Sequence, residues 1–264
     1  MKNLTDPDYL LRRQYADASN LQARVALHQR FSTNPQGLPR WFMEQLQIPE
    51  NARVLEVGCG PGGFWSELAE TIPRSWHITL SDFSPGMVSQ ARQRLSTLVR
   101  PFTVVQADVR NLPFPDQSFD AVIANFMLYH VPDRPLALAE IHRVLSRKGR
   151  LYAMTNGSKH LQEFTGLVNG VVQDLFRTED SGFSLENGAA QLAPFCDRVT
   201  VTRYPDALVV TEAEPLLAYI HSYATAIGAD QESALRERIQ SELDAHAGAF
   251  KITKDCGMIV GVKT

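Results

Sequence analysis

Residues 54–63 read Val-Leu-Glu-Val-Gly-Cys-Gly-Pro-Gly-Gly, and this stretch decides the fold. A short apolar run, Arg53–Val57, passes directly into a glycine-rich segment, which predicts a buried strand that ends in a tight turn before a helix. Glycines let the backbone turn sharply and approach a ligand, and the start of a helix offers free N–H groups. The spacing fits both GxGxxG, ending at Gly63, and GxGxG, ending at Gly62, so the loop alone does not identify its ligand.

Outward from this loop, short β-rich runs alternate with helical stretches between about residues 52 and 155. Further strands are predicted at residues 76–80, 102–105, 119–124 and 150–155. Ser84 followed by Pro85 is typical of a helix start, and Asp133 is predicted to cap another helix that runs to Leu145. Alternation at this spacing indicates parallel strands with crossover helices on both faces, an open α/β sheet.

The flanking segments are less regular, and we expect them to cap the sheet. Residues 1–50 resemble one or two helices, and residues 156–195 are helical or irregular. Beyond them we expect strands at 199–203, 208–211 and 257–262, helices at 215–223 and 229–247, and core positions at Phe164, Phe176, Phe183 and Tyr204. The expectation is a single domain, 1–264, with a helical cap in 1–50, a ligand-binding core in 51–155, and a cap or insert with the final strand pair in 156–264. Such a cap could close a pocket over the sheet.

The composition narrows the class of function. With 26 Lys plus Arg against 29 Asp plus Glu, the net charge of −3 argues against a nucleic-acid partner. Three widely separated cysteines without metal-ligand spacing predict neither a disulfide framework nor a metal site. The first residues lack the apolar core of a signal peptide, and no run of about 18 apolar residues exists to span a bilayer. A cytoplasmic protein without a membrane partner is therefore expected.

Acidic residues at successive strand ends complete the pattern. Asp82 closes the second strand, and Asp108 closes the third within Ala107-Asp108-Val109-Arg110-Asn111-Leu112-Pro113-Phe114. Phe119-Asp120 and the run 145–151 follow in order. Together with the glycine loop, these signals resemble the class I S-adenosylmethionine-dependent methyltransferases over about residues 50–155. The resemblance implies a Rossmann-like open sheet of seven mostly parallel strands with an antiparallel last strand, helices on both faces and a helical cap.

The resemblance also implies how S-adenosyl-L-methionine, or its product S-adenosyl-L-homocysteine, would be held. The implied cofactor residues are Glu56, Gly58, Cys59, Gly60 and Gly62 beside the methionine part, Asp82 at the ribose, Phe83, Met87, Asp108 and Val109 at the adenine, and Asn125 and Phe126 bordering the sulfonium. Carboxylates at three strand ends suit a cationic ligand without a pyrophosphate better than they suit a dinucleotide. Cys59 is interpreted as a small apolar filler rather than a nucleophile.

Candidate acceptor residues lie in two segments. His130 follows the fourth strand with Tyr129, and it could act as a general base or only shape the pocket through backbone hydrogen bonds. Tyr15 could lie over the cofactor, where an aromatic face suits a sulfonium, and Arg24 and His28 could be polar pocket groups. The alternative for this N-terminal segment is an amphipathic capping helix with solvated charges.

The substrate class follows from what is missing after the fourth strand. Amino-methylating DNA enzymes show Pro-Pro-aromatic where this chain has Asn125-Phe126-Met127-Leu128, and the Pro-Cys of cytosine-C5 enzymes is absent. We therefore expect a methyltransferase that moves a methyl group to a small-molecule O, N or C acceptor by in-line displacement, as a monomer or homodimer. Two alternatives stay open: an NAD-type oxidoreductase, and a protein that binds S-adenosylmethionine without transferring its methyl group.

Overall fold

A computed structural model of the chain describes residues 5–173, 175, 182–223 and 227–263, so the expected core residue Phe176 lies outside the described part. The strands are β1 (Arg53–Val57), β2 (His77–Asp82), β3 (Thr103–Gln106), β4 (Phe119–Asn125), β5 (Leu145–Asn156), β6 (Arg198–Val210) and β7 (Phe250–Val262). The α-helices are α1 (Pro7–Tyr9), α2 (Ser19–Phe31), α3 (Leu38–Gln45), α4 (Gly63–Leu68), α5 (Pro85–Leu95), α6 (Arg134–Val144), α7 (Gln162–Asn169), α8 (Gly188–Leu192), α9 (Ala213–His221) and α10 (Ala229–Ala245). A π-helical turn (Leu10–Gln14) and a 3-10 turn (Leu128–His130) complete the described helices.

These strands form one seven-stranded sheet in the order β3-β2-β1-β4-β5-β7-β6. The first five strands pair in parallel, whereas β7 lies antiparallel to both of its neighbours. The predicted Rossmann-like sheet with an antiparallel last strand is therefore confirmed. Dinucleotide-binding sheets of the order 3-2-1-4-5-6 lack this inserted antiparallel strand.

Local sequence signals placed the helix starts correctly. Ser84 Oγ accepts a hydrogen bond from the amide of Met87, and Asp133 Oδ1 accepts one from the amide of Leu136. In both helices a proline lies in the first turn, where its missing N–H costs nothing. These caps begin α5 and α6 at the strand ends that matter for the site.

The later strands differ from the prediction. The two short runs expected at 199–203 and 208–211 are one strand, β6, which pairs with β7 along its whole length. Pro205 interrupted the pattern in the sequence, but β6 is an edge strand, where a residue without an N–H is tolerated. The N-terminal segment also has more helical pieces than the one or two that were predicted.

The N-terminal segment and the later helices share one apolar cluster beside the sheet. Leu27 and Phe31 of α2 pack there with residues of the later helices. The later members include Phe164, Leu216, Leu217, Ile220, Leu235, Ile239 and Leu243. Phe164, Phe183 and Tyr204 are buried as predicted. No helix in the described ranges has the length and apolar character needed to cross a membrane.

Candidate functional site

A cavity of about 1070 Å³ opens at the carboxyl ends of the strands. The last residues of β1, β2, β4 and β5 (Val57, Asp82, Asn125 and Asn156) all line it, as expected for a ligand site in an open α/β sheet. The lining includes nearly every residue that the sequence selected: Glu56, Gly58, Cys59, Gly60, Asp82, Phe83, Met87, Asp108, Val109, Asn125, Phe126, Tyr15, Arg24, His28, Tyr129 and His130. The cap supplies the opposite wall, so the cavity lies between the sheet and the cap.

Gly62 is the exception. It does not line the cavity, and a side chain at this position would face Leu95 and Ala91 of α5 instead. Glycine at this position lets α4 approach α5 closely, and its assignment to the cofactor stays a prediction. Gly58, by contrast, lines the cavity with φ +69°, and a Cβ there would lie 2.8 Å from the Cβ of Met127. This left-handed turn requires glycine.

Glu56 is a buried carboxylate held by two donors. Trp65 Nε1 donates to Oε2, and Asn125 Nδ2 donates to Oε1 over 3.0 Å. Burial nevertheless raises the pKa of Glu56 to about 8, because desolvation outweighs these hydrogen bonds and nearby Asp82 adds repulsion. A cationic group placed beside Glu56 would relieve both costs.

Asp82 ties the glycine loop to the start of α5. Its Oδ2 accepts a hydrogen bond from the amide of Gly60 over 2.9 Å, and its Oδ1 accepts one from the amide of Ser84 over 2.8 Å. Burial raises the pKa of Asp82 despite these donors. Each oxygen retains lone pairs that can accept from ligand hydroxyls.

Asp108 is arranged differently from Glu56 and Asp82. It is partly exposed, and the guanidinium of Arg110 donates to both of its oxygens, with Nη2 2.7 Å from Oδ2. Burial would raise the pKa of Asp108, but the hydrogen bonds from Arg110 outweigh it and lower the pKa. Asp108 therefore lines the cavity as half of an ion pair, which the sequence reasoning did not anticipate.

The segment after β4 carries backbone strain and an unsatisfied atom. Phe126 has φ +53°, and its amide donates to the carbonyl of Met154 over 3.0 Å. Asn125 Oδ1 is buried and has no hydrogen-bond partner within the described ranges. A non-glycine residue in the left-handed region is a mark of functional segments. A donor from a ligand would satisfy Asn125 at this point.

Tyr15 joins the cap to the segment after β4. Its hydroxyl lies 2.8 Å from Nε2 of His130, and its carbonyl accepts a hydrogen bond from Ser84 Oγ. Burial raises the pKa of Tyr15, so its phenol stays neutral. The two residues that the sequence selected for separate reasons thus form one hydrogen-bonded pair.

Arg24 and His28 lie one turn apart on α2 in the cap wall, where Arg24 is buried and His28 is half-buried. The ring of His28 stacks on that of His160 with centroids 5.5 Å apart, and burial lowers the pKa of both. Both rings are therefore neutral near pH 7. The solvated capping helix that was the alternative for this segment is not what the structure shows at these positions.

Sequence reasoning missed several residues around the site. Trp65 of α4, which donates a hydrogen bond to Glu56, was not among the residues that the sequence selected. His160, Tyr219, Tyr223 and Lys254 all line the cavity from the later part of the chain. His160 follows the end of β5 by four residues, so its place at this edge of the sheet is a local consequence of the strand, whereas Tyr219, Tyr223 and Lys254 reach the strand ends only through the return of α9 and β7. Cys59 lines the cavity with a thiol pKa that burial raises, as an unreactive filler would.

Comparisons with known proteins agree with this geometry. Residues 55–153 match the model of the family described as "Methyltransferase domain". A relative from Xanthomonas oryzae pv. oryzae, the ubiquinone/menaquinone biosynthesis C-methyltransferase UbiE, is 39% identical over 113 residues, which are 42% of this chain and 45% of that protein. The chain thus spans less than half the length of this relative.

Two solved structures share the fold. The YcgJ protein from Bacillus subtilis superposes with a TM-score of 0.60 at 18% identity, covering 85% of this chain and 97% of that one. The [4+2]-cyclase SpnF superposes with a TM-score of 0.56 at 18% identity, covering 93% and 96%. At such identities the likeness concerns the fold alone, and the second name shows that this fold also serves a reaction other than methyl transfer.

Proposed function

We propose that this chain, whose residues 55–153 match the methyltransferase-domain family, is a class I S-adenosylmethionine-dependent methyltransferase that transfers a methyl group from S-adenosyl-L-methionine to a small molecule. The acceptor atom is O, N or C. We further propose that residues 1–264 act as one domain, in which the core 51–155 binds the cofactor and both flanks enclose the acceptor. A reducing, cytoplasmic location and a monomer or homodimer complete the proposal, and the three free cysteines support the location.

The observation that carries this proposal is the pair of buried carboxylates at the ends of β1 and β2. Glu56 and Asp82 line the same cavity, and burial raises the pKa of both. Buried carboxylates of this kind are costly unless a ligand compensates them. A ligand with positive charge at one end and a ribose at the other suits them, and Asn125 Oδ1, which has no hydrogen-bond partner among the described residues, offers an acceptor for an ammonium group.

Each of the proposed cofactor residues would contact a different part of S-adenosyl-L-methionine. Glu56 and Asn125 would hold the amino group, and Asp82 would accept hydrogen bonds from the ribose hydroxyls. Phe83, Met87 and Val109 would flank the adenine. When bound, S-adenosyl-L-methionine supplies a methyl group on a cationic sulfur. The chain itself needs only to align the acceptor with that group and exclude water, so a dedicated base is optional.

The names of relatives bear on the acceptor. The relative from Xanthomonas oryzae pv. oryzae is named as a C-methyltransferase of ubiquinone/menaquinone biosynthesis, which makes a quinone-type ring one candidate acceptor. The match leaves more than half of this chain unaligned, and much of the cavity wall facing the strand ends comes from α2 and α9, outside the matched family domain. The proposed function therefore specifies a small-molecule acceptor and not a particular ring system.

Calorimetric titration with S-adenosyl-L-homocysteine and with NAD tests the cofactor. We expect saturable binding of the first and none of the second, whereas the opposite result would support the oxidoreductase. Asp82→Ala should weaken S-adenosyl-L-homocysteine binding by at least about tenfold, since it removes an acceptor for two ribose hydroxyls. The matched control is Asp116→Ala, because Asp116 is exposed and pairs with Arg143 away from the cavity.

Turnover separates an enzyme from a protein that only binds the cofactor. Purified protein is incubated with methyl-labelled S-adenosyl-L-methionine and a panel of hydroxylated, amino and quinol compounds, and label in the product is counted. Transfer to one acceptor class, lost in Asp82→Ala, supports the enzyme. Cofactor binding without transfer across the panel supports the binding protein.

A further inference from the structure

The cap wall of the cavity contains a buried cation that the proposed cofactor site does not use. Arg24 of α2 is only 7% exposed and lines the cavity. Its Nη1 makes a long hydrogen bond, 3.4 Å, to the carbonyl of Ser222, and its Nη2 is buried and has no partner among the residues that the structure describes. Within the described residues no carboxylate forms an ion pair with it. A guanidinium has five N–H donors, so most of this capacity is unused.

Aromatic rings surround this guanidinium. Its central carbon lies 4.8 Å from the ring centroid of Tyr223 and 5.7 Å from that of Tyr15. Burial raises the pKa of Tyr15, Tyr129 and Tyr219, so these phenols are neutral. Ring faces attract a cation, but they cannot accept its in-plane hydrogen bonds as an oxygen anion does. The positive charge of Arg24 is therefore uncompensated by the wall around it.

The neighbouring groups of the cap wall do not supply the missing anion. His28 and His160 are neutral, and each has a buried Nδ1 without a hydrogen-bond partner in the described structure. Lys254, which also lines the cavity, is already paired with Asp206, whose Oδ2 lies 2.6 Å from its Nζ. Of the two cations Arg24 and Lys254 in the cap wall, Arg24 is therefore the one available to bind an anionic ligand.

The cavity therefore has two electrostatic ends. The strand ends supply the carboxylates of Glu56 and Asp82, which suit a cationic cofactor. The cap supplies Arg24, whose guanidinium lies against the rings of Tyr223 and Tyr15 and forms no ion pair with a carboxylate of the described residues. We infer that the methyl acceptor is a small organic carboxylate and that Arg24 binds its carboxylate group. This inference rests on the proposed function, because it takes the strand-end half of the cavity as the cofactor site.

Benzoate and benzamide are the test pair, since they share shape and size and differ in charge, and since their flat ring suits the tyrosine walls. Each is titrated by calorimetry into the protein saturated with S-adenosyl-L-homocysteine. We expect benzoate to bind at least about tenfold more tightly than benzamide, because a charged hydrogen bond to a carboxylate replaces a neutral one. If the unmodified protein binds benzoate and benzamide with equal affinity, or does not bind benzoate, the inference is overturned.

Variants assign the preference to Arg24. Arg24→Gln should abolish the difference between benzoate and benzamide, and Arg24→Lys should retain part of it. Arg30→Gln is the matched control on the same helix, because Arg30 is exposed and pairs with Glu212. A full preference remaining in Arg24→Gln would overturn the assignment. If that variant does not fold, the Arg24→Lys variant and the benzoate–benzamide pair on the unmodified protein still decide.

The cofactor also carries a carboxylate, and the same titrations separate the two sources. If Arg24 binds the acceptor, Arg24→Gln leaves the affinity for S-adenosyl-L-homocysteine within about twofold of the unmodified protein. A loss of about tenfold or more in that affinity, with benzoate binding unchanged, would assign Arg24 to the cofactor and overturn the inference. Failure of the unmodified protein to bind S-adenosyl-L-homocysteine would instead contradict the proposed function, and the benzoate comparison would then be made without it.

Discussion

The hydroxyl of Tyr15 lies 2.8 Å from Nε2 of His130, so two residues 115 positions apart in the chain meet at the cavity. Tyr15 precedes α2, and His130 ends the turn after β4. The carbonyl of Tyr15 also accepts a hydrogen bond from Ser84 Oγ at the start of α5. One cap residue thus contacts the loops after two different strands, which fixes the cap over the strand ends.

This pair should show measurable coupling. Tyr15→Phe removes one buried hydrogen bond and should lower the free energy of unfolding by about 1 kcal/mol. In a double-mutant cycle with His130→Ala, measured by urea unfolding, the coupling energy should be about 1 kcal/mol. Tyr152→Phe is the control, because the Tyr152 hydroxyl accepts from the amide of Gln47 instead, and its effect should add to that of His130→Ala. A coupling near zero for Tyr15 would contradict the hydrogen bond.

Cofactor binding should depend on pH through Glu56. Its pKa of about 8 in the free protein means that the carboxyl is mostly protonated below that pH. A cationic ligand favours the ionised form, so binding must release this proton at lower pH. The affinity for S-adenosyl-L-homocysteine should therefore rise between pH 6 and pH 8, by up to about tenfold per unit.

Calorimetry at pH 7 in two buffers of different ionisation enthalpy measures the released proton directly. The control is Glu56→Gln, which keeps a side chain of similar shape without the titration. This variant should bind more weakly at pH 8 and lose most of the pH dependence. An unchanged slope in the variant would show that another group, such as Asp82, carries the titration.

Gly86 should resist a substitution that its helix would otherwise favour. It lies in the first turn of α5, and a Cβ there would come within 2.4 Å of the carbonyl oxygen of Ala16 in the cap. Gly86→Ala should therefore displace the cap and destabilise the fold by about 1–3 kcal/mol, although alanine is the better helix former. Gly166→Ala, in α7 with no atom within 4 Å of the added carbon, should instead stabilise by up to about 1 kcal/mol. Thermal unfolding of the two variants, with shifts of opposite sign expected, checks this pair.

The ion pair between Lys254 and Asp206 should be costly to break. Their side chains are 5% and 0% exposed, and Asp206 also accepts hydrogen bonds from Ser32 Oγ and the amide of Thr33. Lys254→Met leaves a buried carboxylate and should lower the free energy of unfolding by about 3–5 kcal/mol at pH 7. A loss below about 1 kcal/mol in urea unfolding would contradict the importance of the pair.

The pH dependence of that loss has a definite sign. Burial alone would raise the pKa of Asp206, but the hydrogen bonds from Lys254 and Ser32 outweigh it, so the folded-state pKa is lowered. The stabilisation is therefore present above the ordinary value of 3.8 and lost as the pH falls through the lower folded-state value. The difference between the unmodified protein and Lys254→Met should shrink accordingly in acid. If the difference in the free energy of unfolding between the two proteins grows in acid, ionised Asp206 is not the source of the stabilisation.

The sequence predicted the sheet and the residues that line the cavity at the strand ends well, for a local reason. Strand, glycine loop and helix cap follow each other within a few residues, as in Glu56 to Gly60 and Asp82 to Ser84. Parallel strands bring such strand ends to one edge of the sheet without further information. Asp108 shows the limit even here, since its pairing with Arg110 depends on side-chain conformations that spacing does not specify.

The cap wall of the cavity was decided by tertiary structure. Tyr15, Arg24 and His28 could be named from the sequence, but their burial depends on the apolar cluster that α2 forms with α9 and α10. Tyr219 and Lys254 could not be named at all, because α9 and β7 return to the strand ends from far along the chain. Contacts between residues distant in sequence leave no periodic pattern. The chain by itself thus determined the sheet and the acids at its edge, whereas only the packing of the cap decided that Arg24 is buried in the cavity wall without a carboxylate partner among the described residues.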